Sequence, residues 1–261
     1  MPSAPFGSLM SSGLTTMPAT VISPQQRAAA PIAGVSCLLA MIVVVVANYV
    51  LLNPLIVRGN AADTARNILA HQTQFRAVVV GFLAYGVSVV VLVAALYVIL
   101  RPVHQLLALV GALFRLLFAL LWLLATLNLL GALRLIGSAS YLQVIEPNRL
   151  QALARTYLAG TFDDYYVGLP FFALAATVSS YLWLRSRYIP RPLAWFGLIG
   201  SGWCVFCAFA YLVFPGFAKP VNPYWFDSPM ALFELATSVW LLVKGLGSQK
   251  SPGTDPNESS Q

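Results

Sequence analysis

Two cysteines in the stretch SGWCVFCAF (201–209) have the Cys-x-x-Cys spacing that is typical of thiol-redox and metal sites. Redox chemistry requires a thiolate, which a positive neighbour or a helix N-terminus stabilises, and access for a second thiol. Cys204 and Cys207 lie inside a long apolar stretch that disfavours the charged form, and Cys37 is the only other cysteine. We expect both to pack as small apolar side chains. A membrane thiol-redox enzyme using Cys204 and Cys207 remains an alternative hypothesis.

Other catalytic templates lack residues that they require. The two histidines, His71 and His104, both lie in connecting segments and are too few for a histidine-rich zinc site or a bis-histidine haem. The stretch IGSGW invites comparison with rhomboid proteases, but Ser201 would need a histidine on a later helix, and none follows His104. The sequence contains no glycine-rich phosphate loop and no carboxylate cluster. It therefore predicts no cofactor and no metal, and it favours a protein that is not an enzyme.

Two charges stand out because they interrupt apolar stretches. Arg115 lies in GALFRLLFALLW and Glu234 in SPMALFELATSVW. An arginine in the middle of a membrane helix costs roughly 2.5–3.5 kcal/mol on insertion scales, so it needs a partner. Glu234 is the natural candidate, although it is expected only five residues into its helix, at a depth that does not match Arg115. The pair is either a substrate or proton site, or a structural clamp.

Further residues inside the apolar stretches are expected to hold helices together. The polar ones are Asn48, Asn53 and Asn128, and the small close-packing ones are Gly81, Ala84, Gly197 and Ser201.

The composition indicates that the segments carrying these residues lie in a membrane. Hydrophobic residues make up 59% of the 261-residue chain and charged residues only 9%, too few to cover the surface of a soluble domain. A spanning helix takes about 20 predominantly apolar residues. The sequence predicts an all-α bundle of six transmembrane helices, near residues 30–57, 77–100, 106–132, 166–184, 193–214 and 229–243. No period-2 alternation favours a barrel.

The remaining segments complete the predicted organisation. A six-helix transmembrane domain (30–246) is flanked by tails at 1–29 and 247–261, rich in Ser, Pro and other small residues and expected to be disordered. Two short interfacial amphipathic helices are expected between spans. One covers 63–76 with Asp63 as its N-cap. The other covers 147–160, with an apolar stripe and with Gly160 as its stop.

The formal charge of +7 is spread along the ends of the spans rather than gathered in one basic patch. This distribution indicates topology signals and contacts with lipid headgroups, and it argues against a nucleic-acid partner. The short loops in LRPVHQ and LRSRYIPRPL concentrate arginines, which favours cytoplasmic placement of both termini.

Four stretches together carry a resemblance to a known family. GNAADTARNILAHQTQFR, LYVILRPVHQLLALVGALFRLL, LRSRYIPRPLAWFGLIG and ELATSVWLLVKG are similar, in order and spacing, to the bacterial multi-pass membrane family called domain of unknown function 4386. The resemblance implies an integral protein of the plasma membrane and no reaction. Its recurring positions correspond to Asn67, Arg76, Arg101, Arg115, Glu234, Trp240 and Lys244. This chain departs from the pattern at Leu117 and Phe118, and in TFDDYY, where relatives often have polar residues and a histidine.

Three classes of function stay open. A non-catalytic accessory or partner-binding module, with a membrane protein or a second copy as partner, is favoured because no catalytic set assembles. A transporter or binder of a small solute, ion or lipid, using Arg115 and Glu234, is the second. A membrane enzyme is the third.

Overall fold

The predicted membrane-spanning stretches all fold as helices in the computed structural model, which describes residues 22–137 and 144–247. The helices are α1 (Pro24–Val45), α2 (Ala61–Ala70), α3 (Gln72–Leu100), α4 (Gln105–Ile136), α5 (Pro147–Ser186), α6 (Arg191–Val213) and α7 (Tyr224–Val243). A π-helix (Val46–Leu52) and a 3-10 turn (Asn53–Leu55) continue α1, and a 3-10 turn (Pro215–Ala218) precedes α7. All helices except α2 are long and apolar enough to cross a membrane, and none of the described residues forms a strand. The predicted all-α bundle of six spans is confirmed.

The six spans form a closed ring. Each span packs mainly against the spans that precede and follow it in the chain, and α7 packs back against α1. The ring therefore follows chain order, and α4 and α7 lie on opposite sides of its interior. Any contact between their side chains must cross the middle of the bundle.

The two ends of the ring differ in their connections. The short hairpins at 101–104 and 187–190 lie at one end, together with the start of α1 and the end of α7. We call this the hairpin end. The longer connections at 56–71, 137–146 and 214–223 lie at the opposite end, which we call the loop end. α2 belongs to the loop end and packs against α5.

The first span begins earlier than predicted. α1 starts at Pro24, so residues 24–29 of the predicted tail are helical. Ser23 and Gln26 form a reciprocal capping box, in which the Ser23 hydroxyl accepts from the Gln26 N–H at 3.2 Å and the Gln26 side chain accepts from the Ser23 N–H at 2.9 Å. Serine followed by proline and then glutamine is a helix-start signal that composition alone obscures. The predicted tails at 1–21 and 248–261 lie outside the described residues.

The first interfacial helix is shorter than predicted and begins earlier. Asn60, rather than Asp63, is the N-cap of α2, and its side chain accepts from the Asp63 N–H at 3.0 Å. The helix ends at Ala70, and α3 starts at Gln72 after a break at His71. Residues 72–76, predicted as interfacial, thus belong to the second span.

The predicted interfacial helix at 147–160 is not separate from the fourth span. α5 runs without a break through 40 residues, or about 60 Å, twice the thickness of a hydrocarbon core of about 30 Å. Gly160 does not stop the helix. A Cβ there would lie 3.1 Å from Asn128 Nδ2 on α4, so the glycine permits a close approach of two helices.

The last span also begins earlier than predicted, at Tyr224 rather than Pro229. Pro229 has no N–H to donate to the carbonyl of Trp225, four residues before it. The Trp203 indole of α6 donates to that carbonyl instead, at 2.9 Å. A hydrogen bond from a neighbouring helix thus replaces the one that the proline removes.

Close packing at two of the predicted small residues is confirmed. A Cβ at Gly197 of α6 would lie 2.5 Å from Phe233 of α7, and one at Gly81 of α3 would lie 2.9 Å from Ala47 of the π-helix. Either contact would force neighbouring helices apart.

Candidate functional site

The two predicted intramembrane charges lie at the same depth. Arg115 is ten residues, or about 15 Å, from the start of α4 at the hairpin end. Glu234 is nine residues, or about 14 Å, from the end of α7 at the same end of the ring. The expectation that their depths differ was wrong, because it placed the start of α7 at Pro229.

Arg115 and Glu234 form an ion pair across the interior of the ring. Arg115 Nη2 donates to Glu234 Oε1, and the two side chains are only 9% and 14% exposed. The guanidinium also lies over the Phe172 ring of α5, 4.8 Å from its centroid. Cys37 of α1 contacts the other carboxylate oxygen, with 3.9 Å between Sγ and Oε2. Four of the six spans therefore meet at one charged pair.

Burial explains why these charges are paired. An isolated charge in low dielectric loses several kcal/mol of solvation that only a well-placed opposite charge offsets. The cation–π contact adds roughly 0.5–2 kcal/mol to the stability of the guanidinium. The pair is neutral as a whole, so the ring contains no net charge at this depth.

A cavity of about 50 Å³ adjoins the ion pair. Its lining residues come from α1, α3, α4, α5 and α7, and they run from Arg115 and Glu234 towards the hairpin end, as far as Leu107, Leu100 and Leu241. Most are aliphatic. The ion pair is therefore the polar floor of an otherwise apolar cavity, which is the usual composition of a small-molecule site.

Thr237 adds an unusual polar group to the cavity wall. It lies about one turn from Glu234 on α7 and is 7% exposed, and its buried hydroxyl has no hydrogen-bond partner among the residues that the structure describes. The neighbouring cavity hydroxyls are satisfied within their own helices, since Ser179 donates to Ala175 O and Ser238 to Glu234 O, at 2.8 and 2.7 Å. Leaving a buried hydroxyl without a partner costs about 1–3 kcal/mol. A polar group entering the cavity would recover that cost.

Arg115 also has donor capacity left over. A guanidinium carries five N–H groups. Within the described residues one side-chain acceptor, Glu234, receives a hydrogen bond from it. The cavity floor thus combines guanidinium donors with carboxylate acceptors, and the buried hydroxyl of Thr237 lies about one helical turn away.

The Cys-x-x-Cys pair lies elsewhere. Cys204 and Cys207 are free thiols on α6, each 0% exposed, and α6 contributes no residue to the cavity lining. They pack in the apolar core of the bundle. The structure thus does not bring them together with Arg115 and Glu234, and a redox role for the two thiols stays a hypothesis.

The other family-pattern residues lie outside the cavity. Asn67 of α2 donates to Leu55 O at 3.5 Å, and Arg101 donates to the Gln25 side chain at 3.3 Å. Arg76 and Lys244 are exposed, near the start of α3 and the end of α7. Trp240 has a buried indole nitrogen without a hydrogen-bond partner among the described residues. The contacts of Asn67 and Arg101 connect segments at the loop end and the hairpin end respectively.

The other polar residues singled out from the sequence have structural contacts. Asn128 donates to Asp164 of α5 at 2.7 Å, which confirms its prediction as a link between helices. Asn48 donates to Val44 O in its own span at 2.9 Å, and Asn53 begins the 3-10 turn. The His104 side chain caps α4 by accepting from the Leu107 N–H at 3.2 Å. Within 22–137 and 144–247, no three His, Cys, Asp or Glu side chains are placed to hold a metal ion.

Sequence analysis missed three residues of the site. Thr237 could have been found, since it lies three residues from Glu234 on the same helical face. Cys37 and Phe172 carry no such signal, because their contacts depend on which spans are neighbours in the ring.

These features define an integral membrane protein with six helical spans in a ring around an ion-paired, largely apolar cavity. The chain belongs to the family described as Domain of unknown function (DUF4386), whose model matches residues 32–245. The matched region includes five spans in full, most of the first span, Arg115 and Glu234, and it confirms the resemblance read from the sequence. No curated protein and no solved structure matches the chain.

Proposed function

We propose that this protein is a membrane-embedded binding protein for a small, neutral amphiphilic molecule. The observation that carries the proposal is the cavity floor, where Arg115 and Glu234 border an apolar space and the adjoining Thr237 has a buried hydroxyl without a partner among the described residues. The polar group of the ligand would bind at this floor, and its apolar part would lie against the aliphatic wall towards the hairpin end.

The electrostatics of the floor favour a neutral ligand. Glu234 already balances Arg115, so a charged ligand would bring an unpaired charge into low dielectric. A hydroxyl or carboxamide can instead accept from Arg115 or Thr237 and donate to Glu234 without changing the net charge. The cavity volume of about 50 Å³ accommodates only a few non-hydrogen atoms, so the ligand is small or inserts the end of a longer molecule.

The packing beyond the ion pair favours binding over conduction. On the loop-end side of the cavity, the Phe118 ring lies 4.9 Å from Phe172 and 6.2 Å from Trp122, centroid to centroid. These side chains are buried in the core of the ring. Transport through the ring would require this aromatic cluster to repack, whereas binding requires no such change. The sequence-based hypothesis of a non-catalytic accessory module is compatible with a binding protein of this kind.

We further infer that the protein lies in the plasma membrane of a bacterium, with the hairpin end and both termini in the cytoplasm. The support is the concentration of arginines in the two short loops of the hairpin end, where Arg101 and Arg191 are exposed beside the helix ends. A second copy or another membrane protein remains a proposed partner, and the lipid bilayer surrounds the exposed apolar faces of the spans.

The test compares three molecules that each have a six-carbon chain and that differ in the head group. The purified full chain in nonionic detergent is heated with hexanamide, hexylammonium or hexanoate, and the midpoint of thermal unfolding is measured. We expect a saturable rise with hexanamide only, because only the neutral head group suits the cavity floor. Similar shifts with all three molecules would reflect the detergent and would contradict the proposal.

Matched variants locate the binding site. Thr237→Val removes the unpartnered hydroxyl with little change in shape and should weaken the hexanamide effect about 5- to 30-fold, as for one lost hydrogen bond of about 1–2 kcal/mol. Thr177→Val is the control, because Thr177 donates to Ala173 O within α5 and does not line the cavity. Equal weakening in both variants would exclude the cavity floor as the site.

A further inference from the structure

A second group of polar side chains lies at the loop end, independent of the cavity. Five tyrosines from four segments of the ring lie beside the first turn of α7, and one of them, Tyr165, donates to the carboxylate of Asp227, which is three residues past the start of α7. We call this group the tyrosine bowl: Tyr49, Tyr165, Tyr166, Tyr211, Tyr224 and Asp227. Asp227 is seven residues from Glu234 on α7, or about 10 Å closer to the loop end.

The inner wall of the tyrosine bowl is formed by α5 and α6. Tyr165 Oη donates to Asp227 Oδ2 at 2.6 Å. The Tyr165 and Tyr166 rings are 5.3 Å apart, and the Tyr166 and Tyr211 rings are 4.5 Å apart, centroid to centroid. Three aromatic rings therefore continue from the carboxylate along one wall.

The rim is formed by the π-helix and by α7. Tyr49 and Tyr224 have ring centroids 6.3 Å apart and are 51% and 56% exposed. Tyr224 lies three residues before Asp227, so the two side chains share one face of α7. Tyr49 belongs to the stretch where the first span leaves α geometry, and π-helical turns are frequent at functional sites. Tyr49 and Tyr224 are therefore the exposed members of the tyrosine bowl, whereas Tyr165 and Asp227 are partly buried.

Asp227, like Asp164, is a partly buried carboxylate that accepts from a neutral donor, Tyr165 for Asp227 and Asn128 for Asp164. Among the described residues Asp227 has no lysine or arginine within ion-pair distance, whereas Glu234 is paired with Arg115 and Asp63 with Arg66. One phenol hydrogen bond and the start of α7 stabilise it, but no counter-charge does. Tyrosines at a membrane interface are common by themselves. The hydrogen bond from one of them to a carboxylate without a cationic partner is not explained by that preference.

The chemistry of the tyrosine bowl suits an organic cation. The faces of aromatic rings carry negative potential and attract ammonium groups, and quaternary ammonium ions bind in aromatic cages of this composition. The carboxylate supplies the opposite charge at the base. A metal ion is a poorer fit, because a single carboxylate supplies too few ligands.

We propose that the tyrosine bowl binds an organic ammonium group at the loop end, with the cationic nitrogen against the rings and the charge balanced by Asp227. The ammonium group belongs either to a free small molecule or to the headgroup of a lipid. This site does not depend on the cavity at the hairpin end, and either proposal can fail without the other.

The test measures binding of tetramethylammonium chloride to the purified full chain in a nonionic, lipid-free detergent. Intrinsic tyrosine and tryptophan fluorescence is titrated, and sodium chloride at equal concentration is the reference for ionic strength. We expect a saturable change with tetramethylammonium only. Asp227→Asn, which keeps an acceptor for Tyr165, should weaken binding at least tenfold, while Asp163→Asn on the exposed surface of α5 should leave it unchanged.

A second pair of variants separates the aromatic contribution from folding defects at Asp227. Tyr166→Leu removes one ring face and should weaken binding several-fold, whereas Tyr181→Leu, at a half-exposed position farther along α5, should not. Competition by a soluble short-chain phosphatidylcholine that binds more tightly than tetramethylammonium would identify a lipid headgroup, and its absence would identify a free ammonium ion. The proposal is overturned if tetramethylammonium acts no differently from sodium, or if Tyr181→Leu weakens binding as much as Tyr166→Leu.

Discussion

Glu234 and Asp227 lie about two turns apart on α7, yet their surroundings differ in charge and in packing. Glu234 faces the middle of the ring and is paired with Arg115. Asp227 faces the loop end, accepts from Tyr165, and has no cationic partner among the described residues. One helix thus carries a carboxylate whose charge is balanced by the protein and another whose charge is not.

The difference suggests that the two halves of the ring select different chemistry. At the hairpin end the charges cancel and an apolar cavity remains, which favours a neutral ligand. At the loop end the tyrosine bowl combines aromatic rings with a carboxylate that has no cationic partner among the described residues, which favours a cation. Membrane proteins retain intramembrane charges at a cost, so each arrangement requires its own explanation.

The largest expected effect separates these two carboxylates. Glu234→Gln leaves the buried Arg115 without its counter-charge and should lower the free energy of unfolding by about 3–5 kcal/mol. Asp227→Asn keeps the acceptor for Tyr165 and breaks no ion pair, so it should cost about 1 kcal/mol or less, mainly from the lost charge near the start of α7. Both are measured by denaturant titration of the purified protein in detergent micelles.

A double variant tests whether the unpaired charge of Arg115 causes the loss of stability in Glu234→Gln. Arg115→Met combined with Glu234→Met replaces the ion pair by apolar side chains and should recover most of the stability that Glu234→Gln loses. If the double variant also binds hexanamide normally, the pair is only a structural clamp. Equal losses from Glu234→Gln and Asp227→Asn would remove the distinction between the two carboxylates.

Much of this architecture could be predicted from local sequence. The six spans follow from apolar stretches of about 20 residues, and Arg115 and Glu234 stand out because each interrupts such a stretch. The start of α7 could not be predicted, because Pro229 resembles a helix start and the Trp203 indole that replaces its missing hydrogen bond comes from another helix. The continuity of α5 could not be predicted either, because Gly160 resembles the end of a helix, whereas it permits the close approach of Asn128 from α4.

The candidate sites were less predictable than the spans. The cavity depends on which side chains of five helices face one space, and no local pattern records that. Thr237 is unusual only because it lacks a partner, a fact that becomes visible when its neighbours are placed. The tyrosine bowl combines residues from the first span to the last, and TFDDYY reveals only its α5 portion.

A smaller loss of stability is expected at the contact between α6 and α7, next to the helical turn that contains Glu234. Gly197→Ala would place a methyl group 2.5 Å from Phe233 and 2.6 Å from Ser180 Oγ, so α6 and α7 must shift, at a cost of about 1–3 kcal/mol. Gly202→Ala on the same helix meets nothing within 4 Å, so it should be neutral or stabilise the helix by up to about 1 kcal/mol. Thermal unfolding in detergent measures both changes. Equal effects would mean that close packing at Gly197 does not hold α7 in place.

The smallest expected effect concerns the reactivity of the thiols rather than the stability of the bundle. Cys37 lines the cavity, whereas Cys204 and Cys207 are packed in the core and lie outside the cavity. The test uses methyl methanethiosulfonate, a small thiol reagent, on two variants. Cys204→Ala/Cys207→Ala keeps only Cys37, and Cys37→Ala keeps only the two thiols of α6. We expect the first variant to be modified at least ten times faster than the second. Mass spectrometry of the folded protein, before and after mild oxidation, measures both rates. Fast modification of Cys204 or Cys207 would instead show access to the core of α6 and would favour the redox hypothesis. Protection of Cys204 and Cys207 in both redox states would contradict the redox hypothesis, because a redox pair needs an entry path for its partner thiol.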